Sequence, residues 1–206
     1  MRPQGCATLT ELGFICTNIV GKNMTQSRHA KAAATVHTSE VIYKGRQFSF
    51  VNDQITLPHG VKAEMAYIKH PGSAVIVPVF EDQTIGLIKQ YRYVVNSYIY
   101  EVPAGTMDPQ EQPEECAARE LEEETGFAAR DLISLGKTLL LPAYSDEISY
   151  TFLAKNLIPT AQHLDADEII SAEQFAITDV MHMIDSGIIV DALSILAIYR
   201  AVKYLE

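Results

Sequence analysis

The sequence predicts an α/β domain with a mixed sheet, on three observations. Short runs rich in β-branched and aromatic residues recur from Glu40 onward between turn signals. A charged helical stretch from about Pro113 to Thr125 interrupts them, and two amphipathic patterns, Thr178 to Asp185 and Asp191 to Leu205, occupy the tail. The length of 206 residues allows one domain with an arm but not two independent enzymes. Hydrophobic residues at 48% and charged residues at 20% give a globular rather than a disordered balance. With 16 Lys and Arg against 26 Asp and Glu the net charge is −10, which repels a phosphate backbone and argues against nucleic acid as a partner.

Residues 1–38 carry Arg2, Lys22, Arg28 and Lys31 against Glu11 alone, and are expected to form a poorly ordered arm ahead of a domain over 39–206. The apolar stretches Leu12 to Val20 and Ile188 to Val202 are too short, or are broken by Asp191 and Arg200, so no membrane span is expected. Cys6, Cys16 and Cys116 lack C-x-x-C spacing and leave one unpaired, which fits a reducing cytoplasm. The expected strands are Val41 to Tyr43, Gln47 to Leu57, Glu64 to Ile68, Ala74 to Phe80, Thr84 to Tyr91 and Ser97 to Val102. Pro58-His-Gly60, Pro71-Gly72 and Glu81-Asp82-Gln83 supply turns, because Pro fixes φ, Gly tolerates positive φ and Asp bonds locally to the backbone. The helix from Pro113 stops at Gly126, and strands at Leu132 to Leu141 and Glu147 to Ala154 follow.

The helix carries the chemistry. With Glu120 at zero on a wheel of ~100° per residue, Glu124 falls near ~40° and Glu123 near ~−60°, so three carboxylates share one face. Ala117, Leu121 and Ala118 form an adjoining apolar face suited to packing on a sheet, while Glu122 and Glu115 point to solvent. Like charges at these spacings destabilise a helix. Their convergence is sensible where divalent cations sit between them, and an all-oxygen set selects a hard ion, Mg²⁺ or Mn²⁺.

Gly105 to Phe127 read Gly, five residues, Glu111, seven residues, then Arg119-Glu120-Leu121-x-Glu123-Glu124-x-Gly126-Phe127. These 23 residues match the Nudix box at every specified position, so the chain resembles the Nudix hydrolases. The resemblance implies an α/β/α sandwich and hydrolysis of a nucleoside diphosphate linked to another moiety. It implies metal ligation by Glu120, Glu123, Glu124 and the Ala104 carbonyl, for two or three ions, with Glu111 and Arg119 as a supporting ion pair.

Markers outside the box point to the ADP-ribose pyrophosphatase branch of that family. Glu101-Val102-Pro103-Ala104-Gly105 is similar to its E-x-P-A-G lead-in, Pro142 lies sixteen residues beyond Gly126, and Gln90-Tyr91-Arg92 is similar to its Gln-x-Arg strand end. Ala143-Tyr144-Ser145-Asp146-Glu147 resembles its P-G-x-S-x-E loop, with Ala143 where members usually carry Gly, and Ala63 stands where many carry Arg. The resemblance implies Arg92, Glu101, Arg46, Phe48, Pro142 and Glu147 as substrate-binding residues. It implies ADP-ribose or a close nucleotide sugar as substrate, AMP and ribose 5-phosphate as products, and a base at Glu168, with Asp165 as its rival. Strands over residues 39–70 are expected to pair two subunits and stack Phe48 and Phe50 on the adenine, or else Phe48 and Phe50 are ordinary core. Two further alternatives stay open: a GDP-mannose or other nucleotide-sugar hydrolase, and a non-catalytic ADP-ribose-binding regulator. A hydrolase of capped RNA is disfavoured by the charge.

Overall fold

A computed structural model describes residues 33–164, 166 and 169–206. The elements in chain order are β1 (Thr35–Lys44), β2 (Ser49–Thr56), β3 (Lys62–Lys69), β4 (Ser73–Pro78), β5 (Thr84–Arg92), β6 (Ser97–Glu101) and β7 (Ala104–Thr106). They continue as α1 (Pro113–Thr125), β8 (Phe127–Leu139), β9 (Ile148–Pro159), β10 (Ile170–Ala176), α2 (Ile177–Asp185) and α3 (Ala192–Leu205).

β4 is buried along its whole length, as an apolar strand covered on both faces must be. It pairs in parallel with β9 and antiparallel with β7, and β8 completes a mixed sheet of order β7-β4-β9-β8. Alternation sends Ala74, Ile76, Phe152 and Ala154 to one face, where they meet Cys116, Ala117 and Leu121 of α1. Val75, Val77 and Leu153 go to the other, against Ala197, Ile198 and Ala201 of α3 and Val180 and Met183 of α2. The result is the expected helix, mixed sheet, helix sandwich. Each fully buried Ile or Leu contributes roughly 1.5–3 kcal/mol to it. A second sheet of order β10-β5-β6 packs its inner residues Ile85 and Leu87 into the α2–α3 side of the core. Among the described residues, no helix is long and apolar enough to cross a membrane.

The third sheet, the antiparallel meander β1-β2-β3, differs in kind. Val51 and Ile55 of β2 are buried, whereas every residue of β1 is exposed. This overturns the alternative of Phe48 and Phe50 as ordinary core, because both are exposed. The loop after β8 fastens this sheet to the sandwich: the Ile68 amide donates to the Tyr144 carbonyl at 2.8 Å, and the His70 amide to Asp146 Oδ1 at 2.8 Å.

Several sequence expectations need correction. β1 begins at Thr35, so residues 35–38 belong to the first sheet rather than to the arm. β7 and β10 were not expected: β7 has three residues, and β10 is held mainly by pairing with β5 rather than by an apolar run of its own. β8 starts five residues earlier than the expected Leu132, directly after Gly126, and β9 runs on to Pro159. On α1, Ala118 is exposed and Cys116 takes its place in the buried face, because the sheet lies nearer the carboxylate side than the wheel implied.

Candidate active site

α1 is fixed at both ends. The Gln112 amide donates to Glu115 Oε2 at 2.9 Å, Pro113 occupies the first turn, and Gly126 closes the helix at φ 72°, where its amide bonds the Glu122 carbonyl. A segment from the far end of β9 then satisfies the last carbonyls. The His163 amide donates to Glu123 O at 3.0 Å, and Gln162 Nε2 donates to Glu124 O at 2.6 Å.

The carboxylate face of α1 looks onto β7. Glu124 is 2% exposed, and its Oε2 accepts from the Ala104 amide at 2.9 Å. A β-carbon at Gly105 would lie 1.9 Å from the Glu120 carboxylate, so only glycine lets Glu120 rest against this strand. Arg119 ties the group together. It grips Glu111 with a fork, Nε to Oε1 at 2.8 Å and Nη2 to Oε2 at 3.0 Å, while Nη1 reaches Glu120 at 2.6 Å and Glu123 at 3.0 Å. That guanidinium holds the Glu111 carboxyl down at about 2, and the surrounding carboxylates raise the arginine in turn.

Cys116 Sγ points at the Gly105 carbonyl, and burial, reinforced by Glu111 and Glu120, pushes its thiol up to about 12. It therefore stays protonated and offers no thiolate to a soft metal, so the donors in reach are mainly carboxylate and carbonyl oxygens, with His163 also on the cleft wall. That donor chemistry fits a hard divalent ion. As the side chains stand, no three Asp, Glu, His or Cys among the described residues converge on one ion-sized point. The reason is visible in the hydrogen bonds: Glu120 and Glu123 are turned onto Arg119.

These groups line a cleft of about 860 Å³. Its walls include Arg119, Glu120, Glu123 and Glu124 from the helix, Ala104 and Gly105 from β7, Gln90 and Arg92 from β5, and Arg46 and Gln47 from the turn between β1 and β2. Residues 69–192 match the NUDIX domain family. The chain belongs to the Nudix family.

Among proteins similar to this Nudix chain, the ADP-ribose pyrophosphatase of Bacillus subtilis is 32% identical over 81% of the chain and 89% of the relative. The methanol dehydrogenase activator of Bacillus methanolicus is 30% identical over 82% of the chain and 90% of the relative. A crystal structure of an ADP compounds hydrolase superposes with a TM-score of 0.73 at 24% identity, covering 84% of this chain and 95% of that one, which supports the fold. The chain is a Nudix hydrolase with an ADP-ribose pyrophosphatase among its relatives, and Nudix hydrolases generally use divalent metal ions.

The other sequence-predicted positions divide. Arg46, Arg92 and Glu147 line the cleft with the box residues, and Glu147 is steadied by Ser73 Oγ at 2.8 Å. Glu101 is behind Arg92, in the wall of an adjoining pocket of about 300 Å³. Phe48 and Pro142 are exposed and are not among the cleft residues. Asp165 and Glu168 lie outside the described residues. Ser73, Gln162 and His163 escaped the sequence reading; Gln162 and His163 act on backbone atoms about forty residues back, and no local pattern announces that.

Proposed function

We propose that this Nudix hydrolase cleaves ADP-ribose, or a close nucleotide sugar, to AMP and ribose 5-phosphate with Mg²⁺. The observation that carries the reading is that two charge types line one cleft: Glu120, Glu123 and Glu124 from α1, with Arg92 from β5 and Arg46 from the β1–β2 turn. A pyrophosphate is a poor electrophile until its charge is neutralised, and carboxylate-held ions together with these arginines would neutralise it. The Bacillus subtilis relative, named an ADP-ribose pyrophosphatase, supports the substrate.

Glu120, Glu123, Glu124 and the Ala104 carbonyl would hold the ions once Glu120 and Glu123 release Arg119. Mg²⁺ when bound polarises the pyrophosphate and makes a water acidic enough to attack. Glu111 keeps Arg119 from following the carboxylates into the cleft, because its fork fixes two of the three guanidinium nitrogens. Arg92 clamps a phosphate through its terminal nitrogens. A carboxylate of the acidic segment, Glu168 ahead of Asp165, takes the proton from the attacking water.

The enzyme acts as a cytoplasmic homodimer in this reading. Its exposed β1, with Val36, Val41, Ile42 and Tyr43 open to solvent, supports pairing of the first sheets of two copies. Phe48 and Phe50 lie beside Arg46 on the same hairpin and are available to stack on the adenine; Pro142 shapes the loop that delivers Glu147.

The test is phosphate release, coupled to alkaline phosphatase, from ADP-ribose, GDP-mannose, ADP-glucose, NADH and diadenosine polyphosphates with Mg²⁺. ADP-ribose is expected to lead the panel. Preference for GDP-mannose would keep the cleft chemistry and replace the substrate, and silence across the panel with ADP-ribose still bound would favour a non-catalytic regulator.

A further inference from the structure

Glu101 resembles a substrate-binding residue by its place in the sequence, yet its geometry argues for a different task. It is 7% exposed, at the end of β6, and both its oxygens face Arg92 Nε, at 2.9 and 3.3 Å. It does not border the cleft that holds the box carboxylates. A carboxylate turned toward a pyrophosphate would repel it, so contact with that part of a substrate is chemically unfavourable.

The ladder explains how the two residues meet. Arg92 pairs with Ser97, Gln90 with Ile99 and Ile88 with Glu101, so alternation puts Ile88, Gln90 and Arg92 on one face of β5 with Ser97, Ile99 and Glu101 on the same face of β6. The Arg92 side chain therefore runs back along the sheet toward Glu101 instead of leaving the strand end freely. Its hydrogen bonds to described residues all pass through Nε. Neither terminal nitrogen is hydrogen-bonded to a described residue, and Arg92 lines the cleft as well as the adjoining pocket that holds Glu101.

A contribution to stability does not account for the pair. The Arg92 side chain is 44% exposed, where ion pairs contribute little. Burial raises the Glu101 carboxyl above its ordinary value despite Arg92, and Asp191 adds to that rise. A buried acid whose side-chain hydrogen bonds among the described residues go only to a half-exposed arginine is better explained by the orientation it imposes.

We propose that Glu101 is a positioning residue: from a buried seat on β6 it holds Arg92 by Nε and aims the two terminal nitrogens of that guanidinium at the substrate pyrophosphate. This rests on the reading of the cleft as a pyrophosphatase site. It predicts that Glu101 has no effect of its own once Arg92 is gone.

A double-mutant cycle tests it, with kcat and KM for ADP-ribose in Mg²⁺ and, separately, ADP-ribose affinity by calorimetry in EDTA. Glu101→Gln is expected to raise KM and weaken metal-free binding about tenfold, the lower end for losing a residue that orients a ligand, with kcat within about twofold. The Arg92→Ala, Glu101→Gln double variant should bind no more weakly than Arg92→Ala alone. Arg92→Lys gives a second background, since lysine has no Nε–H for Glu101 to hold; Glu101→Gln should again add nothing. Multiplicative losses in either background, or a fall in kcat at unchanged KM, would overturn the proposal. If the wild type ignores ADP-ribose and cleaves another panel member, the substrate reading has failed, and the same cycle on that member decides Glu101 independently.

Discussion

Glu124 on α1 is 2% exposed and bonded to a backbone amide, whereas Ile42 on β1 is 54% exposed on a strand with no buried residue. The two belong to one chain but to opposite regimes. On the carboxylate face of the helix, Glu120, Glu123 and Glu124 each have a partner at 3.0 Å or less, and the backbone is arranged to fit them, down to the missing side chain at Gly105. Around β1, apolar side chains are displayed and nothing in the described chain covers them. A region finished within one chain is expected to fail sharply when altered, and a region finished by a second copy is expected to fail in assembly first.

The largest effect belongs to the finished side. Glu124→Gln removes one carboxylate charge at constant shape, and kcat should fall on the order of 10³-fold, the scale for deleting a group that stabilises transition-state charge. The thermal midpoint should not fall with it, because the glutamine oxygen still accepts from the Ala104 amide. A variant retaining a tenth of wild-type kcat would remove Glu124 from the metal set. Next comes Gly105→Ala, whose β-carbon would sit 1.9 Å from the Glu120 carboxylate. Displacing a catalytic group by about 1 Å costs about 100-fold. Phosphate release measures it, and an unimpaired alanine variant would mean that Glu120 takes another position in the working enzyme.

Glu111→Gln probes the support of that wall. Weakening the fork frees Arg119 to stay on Glu120 and Glu123, so half-saturation by Mg²⁺ should rise about 10- to 100-fold while saturated kcat changes less. The same residue makes a pH prediction. Its carboxyl is lowered from 4.5 to about 2, so its pairing stabilises the fold fully above the unfolded value and loses that contribution as pH falls from about 4.5 toward 2. Thermal midpoints of wild type and Glu111→Gln should therefore differ at pH 6 and converge by pH 2. A constant gap across that range would exclude the ionised pair as its source.

The same contrast governs what could be read in advance. The box helix was legible to its ends at Pro113 and Thr125, because Pro, the carboxylate spacing and Gly126 all act within a turn or two of one another. Arg119 with Glu111 was legible for the same reason. β7 was not, since three residues carry no periodicity and the strand exists through its partner β4. The resemblance assigned Glu101 to the substrate; that its carboxylate turns onto Arg92 was not legible, because the cross-strand register that brings the two together is set by the β5–β6 ladder. Ala118 was misassigned by a wheel that ranks angles but does not know where the sheet stands. The open face of β1 was not foreseen: only Val41 to Tyr43 were expected as strand, and nothing among the described residues covers the side chains that β1 displays.

The smallest effect on chemistry is expected at that face. Ile42→Asp puts a charge on an exposed strand, so it should change the stability of the isolated fold by no more than about 0.5 kcal/mol. In the proposed dimer the same charge would be buried against its own symmetry mate, and like charges facing across a two-fold axis oppose association directly. Light scattering after size exclusion should then give a dimer for the wild type and a monomer for the variant. The kinetic consequence depends on the hairpin tip: Arg46 and Gln47 reach the cleft from the β1–β2 turn, so a sheet that loses its partner but keeps its own ladder retains them in place. KM should rise modestly and kcat should hold. A variant that remains dimeric would move the subunit contact away from β1, and one that becomes monomeric with kcat abolished would mean the partner copy completes the cleft itself.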